Sequence, residues 1–186
     1  MLVLASQSPR RKEILTAAGF QFTVRTPRIP EQRQPGEEPI AYVTRLAEEK
    51  ASAVEWAPGE IILAADTVVV VGDEVLEKPR DLADAARMLR LLAGRQHQVI
   101  TGICLRGQAH RVVDYATTII AFSKLSGDEI ASYVASGEPL DKAGGYAIQG
   151  LASKFIQRID GCYFNVVGLP ISLFYRHLLS FRQSAA

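Results

Sequence analysis

Apolar and polar positions alternate in blocks along this chain, and the longest apolar block, Ile61–Val71, is broken by one charge: Ile-Ile-Leu-Ala-Ala-Asp66-Thr-Val-Val-Val-Val. A nearly continuous, β-branched run of this kind predicts a strand covered on both faces. Upstream, Met1–Ala5 predicts a first buried strand. Ser8-Pro9 predicts a helix start, with Ser8 as N-cap and Pro9 in the first helical position. Ile14, Leu15 and Ala18 fall on one face of that helix, and Gly19 stops it. Phe20–Thr26 predicts a second strand. Residues 27–39 are rich in Pro, Gly, Gln and Glu, which predicts an exposed, mobile loop. From Ile40 to about Trp56 the positions Val43, Ala47 and Val54 form an apolar helical stripe, and Lys50 falls on it.

Beyond Asp66, Val71-Gly-Asp-Glu-Val75 predicts a tight hairpin turn whose return strand ends at Glu77-Lys78-Pro79-Arg80. Asp81 caps the next helix, with Asp84 three residues on and Gly94 closing it. Gln98–Leu105 and Val112–Phe122 predict strands joined in a hairpin around Gly107, and Ser126-Gly-Asp-Glu129 is a capping box opening a helix to about Ala135. Lys154–Arg158 and Cys162–Val167, joined at Asp160-Gly161, predict a further hairpin. After Gly168-Leu-Pro170 comes a last amphipathic helix, Ile171 to about Phe181, with Ser184–Ala186 frayed. Strands interleaved with helices predict an α/β protein, and 186 residues fit one domain, 1–186, with two lobes.

Composition narrows the partners. At 48% hydrophobic and 22% charged, the chain belongs with globular rather than disordered proteins. A formal net charge of +1 supplies no global field for nucleic acid or an anionic membrane, so any anion site must be built from a few local cations. Cys104 and Cys162 lie outside any CxxC or Cys/His cluster and read as buried thiols in a reducing compartment. The N-terminal apolar run is too short for a signal peptide or a membrane span, so a cytoplasmic location is expected.

Candidate chemistry rests on groups that sit badly in their local context. A carboxylate inside a buried strand costs several kcal/mol unless a cation meets it. Asp66 is therefore either a structural acid with a satisfied partner or a metal ligand or general base beside a pocket. Arg10 and Arg11 stand in a first helical turn, where the dipole disfavours cations. A phosphate among them and the free N–H groups removes the conflict, and this is favoured over both arginines pointing into water. Lys50 either snorkels to water or enters a pocket. Residues 137–151 hold too much Gly and too many mixed polar groups for a core element and match no Walker or dinucleotide motif, so the segment reads as functional. Glu31 sits in a polar loop and carries no signal from its surroundings. Cations at Arg10, Arg11, Lys50 and Lys78, the isolated Asp66, and Asp141, Lys142 and Gln149 in the glycine-rich segment suit a polyphosphate with Mg²⁺. His97, His110 and His177 sit in ordinary contexts that support neither a triad nor a zinc site.

Leu4-Ala-Ser-Gln-Ser-Pro-Arg-Arg-Lys-Glu-Ile-Leu15, Ala64-Ala-Asp-Thr-Val-Val69 and Gly137-Glu-Pro-Leu-Asp-Lys-Ala-Gly-Gly-Tyr-Ala-Ile-Gln-Gly150 closely resemble the Maf family of house-cleaning nucleoside triphosphate pyrophosphatases. Arg45–Ala51, Val99–Gly102 and Asn165–Pro170 extend the resemblance over nearly the whole chain. It implies a mixed, twisted sheet flanked by helices, of the kind shared with Ham1 and ITPase proteins, in two lobes with a deep cleft. The implied reaction cuts a nucleoside triphosphate between the α and β phosphates. By the same resemblance Asp66 is the proton acceptor, Ser6, Arg10 and Arg11 face phosphate, Lys50 and Lys78 are cleft lysines, and Glu31 is a metal partner with Asp66. Thr67 and Gln149 resemble the branch acting on dTTP and UTP and, by extension, modified pyrimidine triphosphates, rather than the branch acting on 7-methyl-GTP. That makes Arg10, Thr67 and Gln149 the expected specificity residues. An amide suits the O4/N3–H edge of uracil or thymine, being donor and acceptor at once. Mg²⁺ or Mn²⁺ is the expected cofactor, and a homodimer is implied by resemblance alone. Glu77 departs from the family's Gly before Lys78 and lowers the positive potential there. The alternatives are a nucleotide-sensing regulator of division with weak hydrolysis, or a 7-methyl-GTP enzyme.

Overall fold

The apolar run with one charge folds as the long strand expected of it. In a computed structural model, which describes residues 1–108 and 110–183, strand β3 spans Ile61–Val71. The elements preceding it are β1 (Leu2–Leu4), α1 (Pro9–Ala17), β2 (Phe22–Val24) and α2 (Pro39–Ser52). Those following it are β4 (Glu74–Leu76), α3 (Leu82–Leu92), β5 (Gln96–Arg106), β6 (Arg111–Phe122), α4 (Gly127–Ala135), β7 (Ile156–Asp160), α5 (Tyr163–Val167) and α6 (Ile171–Gln183). The seven strands form one mixed sheet in the order β2-β1-β3-β5-β6-β7, with β4 on β3. Strand β1 is parallel to β2 and to β3, pairing Leu2 with Phe22 and with Ile61. Parallel neighbours need crossover connections, which α1 and α2 occupy. The β3–β4 and β6–β7 pairs are antiparallel. The expected mixed α/β architecture is the one formed.

The chain divides into two compact units, one of Met1–Asp66, Thr101–Ala116 and the last segment from Gly168, the other of Thr67–Ile100 and Thr117–Val167. In the first, Val3, Ala5, Ile62 and Ala64 pack with Ala47 and Ala51 of α2 and with Cys104. Helix α2 lies so close to β5 that a Cβ at Gly102 would meet the Val43 carbonyl oxygen at 2.5 Å. In the second, Met88, Leu89 and Leu92 of α3 meet Ile120, Phe122, Tyr146 and Phe155. Asp81 accepts from the Asp84 N–H at 2.8 Å, and Ser126 with Glu129 completes the capping box. Among the described residues no helix is long and apolar enough to cross a membrane.

Several local expectations fail for identifiable reasons. Residues 163–167 are helical, so the hairpin expected across Asp160-Gly161 does not form. Strand β7 instead pairs with β6, setting Ile159 opposite Ile120. The chain then turns at Gly161, at φ +127°, and buries the Asn165 amide, which donates to the Val99 carbonyl at 2.9 Å and to Thr118 Oγ1 at 3.0 Å. A buried amide needs fixed acceptors, and β5 and β6 supply them. Helix α2 stops at Ser52, so Val54 and Trp56 lie beyond it, and Ala18 is exposed. Cys104 is buried as expected but Cys162 is only half-buried. His97 lies in the core of the second unit on β5. The expected frayed end, Ser184–Ala186, falls outside the described residues.

Candidate active site

Helix α1 begins as the Ser8-Pro9 pair predicts, but Ser8 makes no side-chain cap. Ser6 stands in its vicinity instead: buried, its Oγ accepts from the Ser8 N–H and from Arg11 Nη1, each at 3.2 Å. Positions 11, 14 and 15 share one helical face, so Arg11 turns inward with Ile14 and Leu15 and is only 9% exposed. Its Nε donates to the Gly168 carbonyl at 2.8 Å. Arg11 does not point into water. Arg10, on the adjacent face, is half-buried.

Lys50 resolves in the same direction. It lies on the buried stripe of α2 with Val43, Leu46 and Ala47, is 6% exposed, and its Nζ meets Asp66 Oδ1 at 2.6 Å. Glu31, from the irregular loop before α2, reaches the same ammonium at 3.0 Å through Oε2, with its side chain still 47% exposed. Two carboxylates and two cations thus gather within the first unit from β3, α1, α2 and the loop. Burial pushes the Asp66 carboxyl above its ordinary value; Lys50 and Arg11 oppose the rise and Glu31 adds to it. Burial likewise lowers the Arg11 guanidinium, against Asp66 and Glu31.

The oxygen donors of Glu31 and Asp66 are hard and converge on one ammonium. Among the described residues no group of three or more His, Cys, Asp or Glu side chains could hold a metal. This donor set fits a hard divalent cation that takes one or two carboxylates and completes its shell with phosphate oxygens and water.

The other expected site residues belong to the second unit. Thr67 follows Asp66 along β3 and is half-buried; Lys78 is exposed just after β4. The glycine-rich segment forms short 3₁₀ turns rather than a core element. Gly144, at φ +71°, donates its N–H to the Glu77 carbonyl at 3.0 Å, and a Cβ there would strike Val69. The residue before Lys78 is therefore tied to the segment. Lys142 is half-buried, bonded to the Asp141 carboxylate and at 2.8 Å to the Glu138 carbonyl. Gln149 is exposed at the tip of a turn closed by the Gly150 N–H on the Ala147 carbonyl at 3.1 Å. Of the histidines, His97 bonds Tyr146 Oη at 2.7 Å, with burial lowering it to about 4, and His177 pairs with Asp114 at 2.7 Å.

A sequence profile described as Maf-like protein matches residues 1–181. The chain belongs to the Maf family. A protein from Koribacter versatilis named dTTP/UTP pyrophosphatase is 49% identical over 176 residues, 94% of this chain and 91% of its own. Proteins of the same name from Vibrio cholerae and Salmonella typhimurium are 51% and 50% identical, covering 91% and 97% of this chain and 92% of each relative. Among solved structures, a nucleoside-triphosphatase / dITP/XTP pyrophosphatase from Mycobacterium abscessus superposes with TM-score 0.41 at 13% identity, over 73% of this chain and 94% of that one. A HAM1 protein from Coxiella burnetii gives TM-score 0.43 at 15% identity, over 67% and 73%.

Two supports of this cluster were invisible in the sequence. One is the Gly168 carbonyl, which sits 157 positions from the Arg11 guanidinium it receives. The other is Arg45, which grips Glu37 through Nε and Nη2 at 2.6 and 2.8 Å and the Gln32 carbonyl at 3.1 Å. This clamp ties down the loop that carries Glu31, and it holds the Glu37 carboxyl at about 2. Only the Arg45–Glu49 pair, at 3.0 Å, has a helical spacing that a sequence reading can find.

Proposed function

We propose that this Maf protein hydrolyses dTTP and UTP, and modified pyrimidine triphosphates, to the monophosphate and pyrophosphate, a house-cleaning of the nucleotide pool. The observation that carries the reading is the Asp66 carboxylate, buried on β3 yet bonded to Lys50 at 2.6 Å with Glu31 on the same ammonium. Its relatives at about half identity carry the dTTP/UTP pyrophosphatase name over nearly their full lengths.

In this reading Asp66 accepts a proton from water as the water oxygen bonds to phosphorus at the α–β anhydride. The bridging oxygen leaves with pyrophosphate. Lys50 keeps the carboxylate ionised despite its burial, and with Lys78 it balances phosphate charge. Ser6, Arg10 and Arg11 hold the phosphates, Arg11 with its geometry set by the Ser6 and Gly168 bonds. Asp141 and Lys142 shape the substrate-facing glycine-rich segment. Arg10, Thr67 and Gln149 select the base, Gln149 by pairing its amide with the O4/N3–H edge. Glu31 and Asp66 would hold Mg²⁺, or Mn²⁺ in its place, which when bound neutralises phosphate charge as a Lewis acid. A cytoplasmic location, expected from the short N-terminal apolar run, and a homodimer, implied by the family resemblance, belong to the same proposal.

The decisive measurement is pyrophosphate release from dTTP, UTP, CTP, ATP, GTP and 7-methyl-GTP with Mg²⁺ and with Mn²⁺. We expect kcat/KM for dTTP and UTP to exceed the purines by at least about tenfold. A preference for 7-methyl-GTP assigns the other branch, and no release from any nucleotide favours a nucleotide-sensing regulator.

A pH profile follows from the raised Asp66. A base must be ionised, so kcat/KM for dTTP falls by about tenfold per pH unit on an acid limb. That limb lies above the ordinary Asp value of 3.8. A limb at or below that value would remove Asp66 as the titrating group.

A further inference from the structure

The turn that presents Gln149 is held from both sides. On its entry side the Ala147 N–H donates to Tyr133 Oη at 3.1 Å. On its exit side the Leu151 N–H donates to both carboxylate oxygens of Glu138, at 3.0 and 3.1 Å. The two anchors are joined, because the Tyr133 hydroxyl donates to Glu138 Oε1 at 2.8 Å. Between them Gly150 passes so close to the Glu138 carboxylate that any Cβ at that position would collide with it. The carboxylate occupies the space a side chain would need.

The anchors themselves are rigid. Tyr133 is buried on α4 and packs edge-on against Phe155 at 5.7 Å between ring centroids. Glu138 leaves Gly137, at φ +74°, donates its N–H to Ser136 Oγ at 3.2 Å, and is followed by the buried Pro139. Its carbonyl accepts from Lys142 at 2.8 Å. Tyr146, Ala147 and Ile148 are buried beside the exposed Gln149. Both flanks of Gln149 are hydrogen-bonded to these anchors through Ala147 and Leu151, while the side chains of Gln149 and Leu151 are exposed.

We propose that Glu138 is a positioning residue for base selection: by bridging Tyr133 Oη and the Leu151 N–H across Gly150, it fixes where the Gln149 amide stands. This rests on the reading of Gln149 as the reader of a pyrimidine edge. An amide that must donate and accept at once discriminates only if held to within about 0.5 Å, and a solvent-facing turn of mixed residues supplies no such precision by itself. Glu138 is suited to the role because an ionised carboxylate accepts several hydrogen bonds and needs to donate none. A glutamine there leaves one oxygen to serve both Tyr133 Oη and the Leu151 N–H, and its NH₂ replaces the Oε2 acceptor of Leu151 with a donor that faces another donor.

The test is the ratio of kcat/KM for dTTP over that for ATP, measured with Mg²⁺ for the parent, Glu138→Gln, Tyr133→Phe, Gln149→Ala and the double variant Glu138→Gln/Gln149→Ala. Glu138→Gln is expected to lower the ratio by about 10-fold, mainly through KM for dTTP, as loss of a charged, half-buried hydrogen-bond acceptor allows. Tyr133→Phe, which keeps the carboxylate on Leu151, is expected to lower it less. The double variant is expected to lose no more selectivity than Gln149→Ala alone, since both changes act through one amide. Equal losses for dTTP and ATP, or full additivity in the double variant, would reduce Glu138 to a general structural role and overturn the inference. If Gln149→Ala keeps the parent ratio, the base reader itself is wrong, and no release from either nucleotide defeats the proposed function.

Discussion

Replacing Asp66 by Asn is expected to lower dTTP turnover by about 10²–10⁴-fold while leaving the fold intact, because a positioned general base contributes that much and the amide cannot accept the proton. The exchange is close to isosteric, and the amide oxygen can still accept from Lys50. The ammonium also keeps Glu31, at 3.0 Å. For stability the sign follows from the raised Asp66. A carboxyl whose folded value lies above its unfolded value binds its proton more tightly in the native state. Its contribution is present below the unfolded value and lost as pH rises through the folded one, so ionised Asp66 is a net burden at neutral pH. Removing that charge offsets the lost attraction to Lys50 and Arg11. The melting temperature should therefore move by only a few degrees, and equilibrium binding of dTTP should survive. Parent-rate hydrolysis by the variant would exclude Asp66 as the base.

Lys50→Met makes the opposite change and carries the largest expected effect on stability. Methionine fills the volume of the lysine stem but leaves Asp66 buried without its nearest cation. Stranding one member of a buried ion pair costs about 3–5 kcal/mol. Arg11 still faces Asp66 electrostatically, so the lower end of that range is expected. Urea unfolding at neutral pH reads the loss directly. The variant drives Asp66 still higher, so the deficit should shrink as pH falls and the carboxyl takes up its proton. The double variant Lys50→Met/Asp66→Asn should recover most of the loss, since Asp66 then leaves no carboxylate buried without its nearest cation. A deficit that is independent of pH and undiminished in the double variant would mean that Lys50 acts by packing, not by charge. Activity is expected to fall with the single change as well, because the proposed base loses the cation that keeps it ionised.

Hydrophobic pattern and local capping chemistry accounted for much of this protein. Strand Ile61–Val71, the caps at Asp81 and Ser126 and the glycine stops at Gly19 and Gly94 were legible, because each depends on residues within a few positions of one another. The hairpin signal at Asp160-Gly161 misled for the same reason. Turn chemistry there is local, whereas the fate of 163–167 depends on Asn165 finding Val99 and Thr118, far away in sequence. Resemblance to the Maf family added a role for Glu31 that its surroundings do not advertise, and gave Gln149, in a segment already read as functional, its specific part.

What the sequence by itself determined was therefore most of the elements, the family and the identities of the candidate groups. Whether Lys50 turned outward or inward, whether Arg11 faced water or Gly168, and whether a loop glutamate shared an ammonium with a strand aspartate were decided only by the tertiary structure. Helical periodicity places a side chain on a face but says nothing of what that face meets. The free energy of a buried charge depends on its distance to the carboxylate, ammonium or carbonyl that meets it, and these partners lie 16, 19 and 157 positions apart, beyond the reach of any local rule.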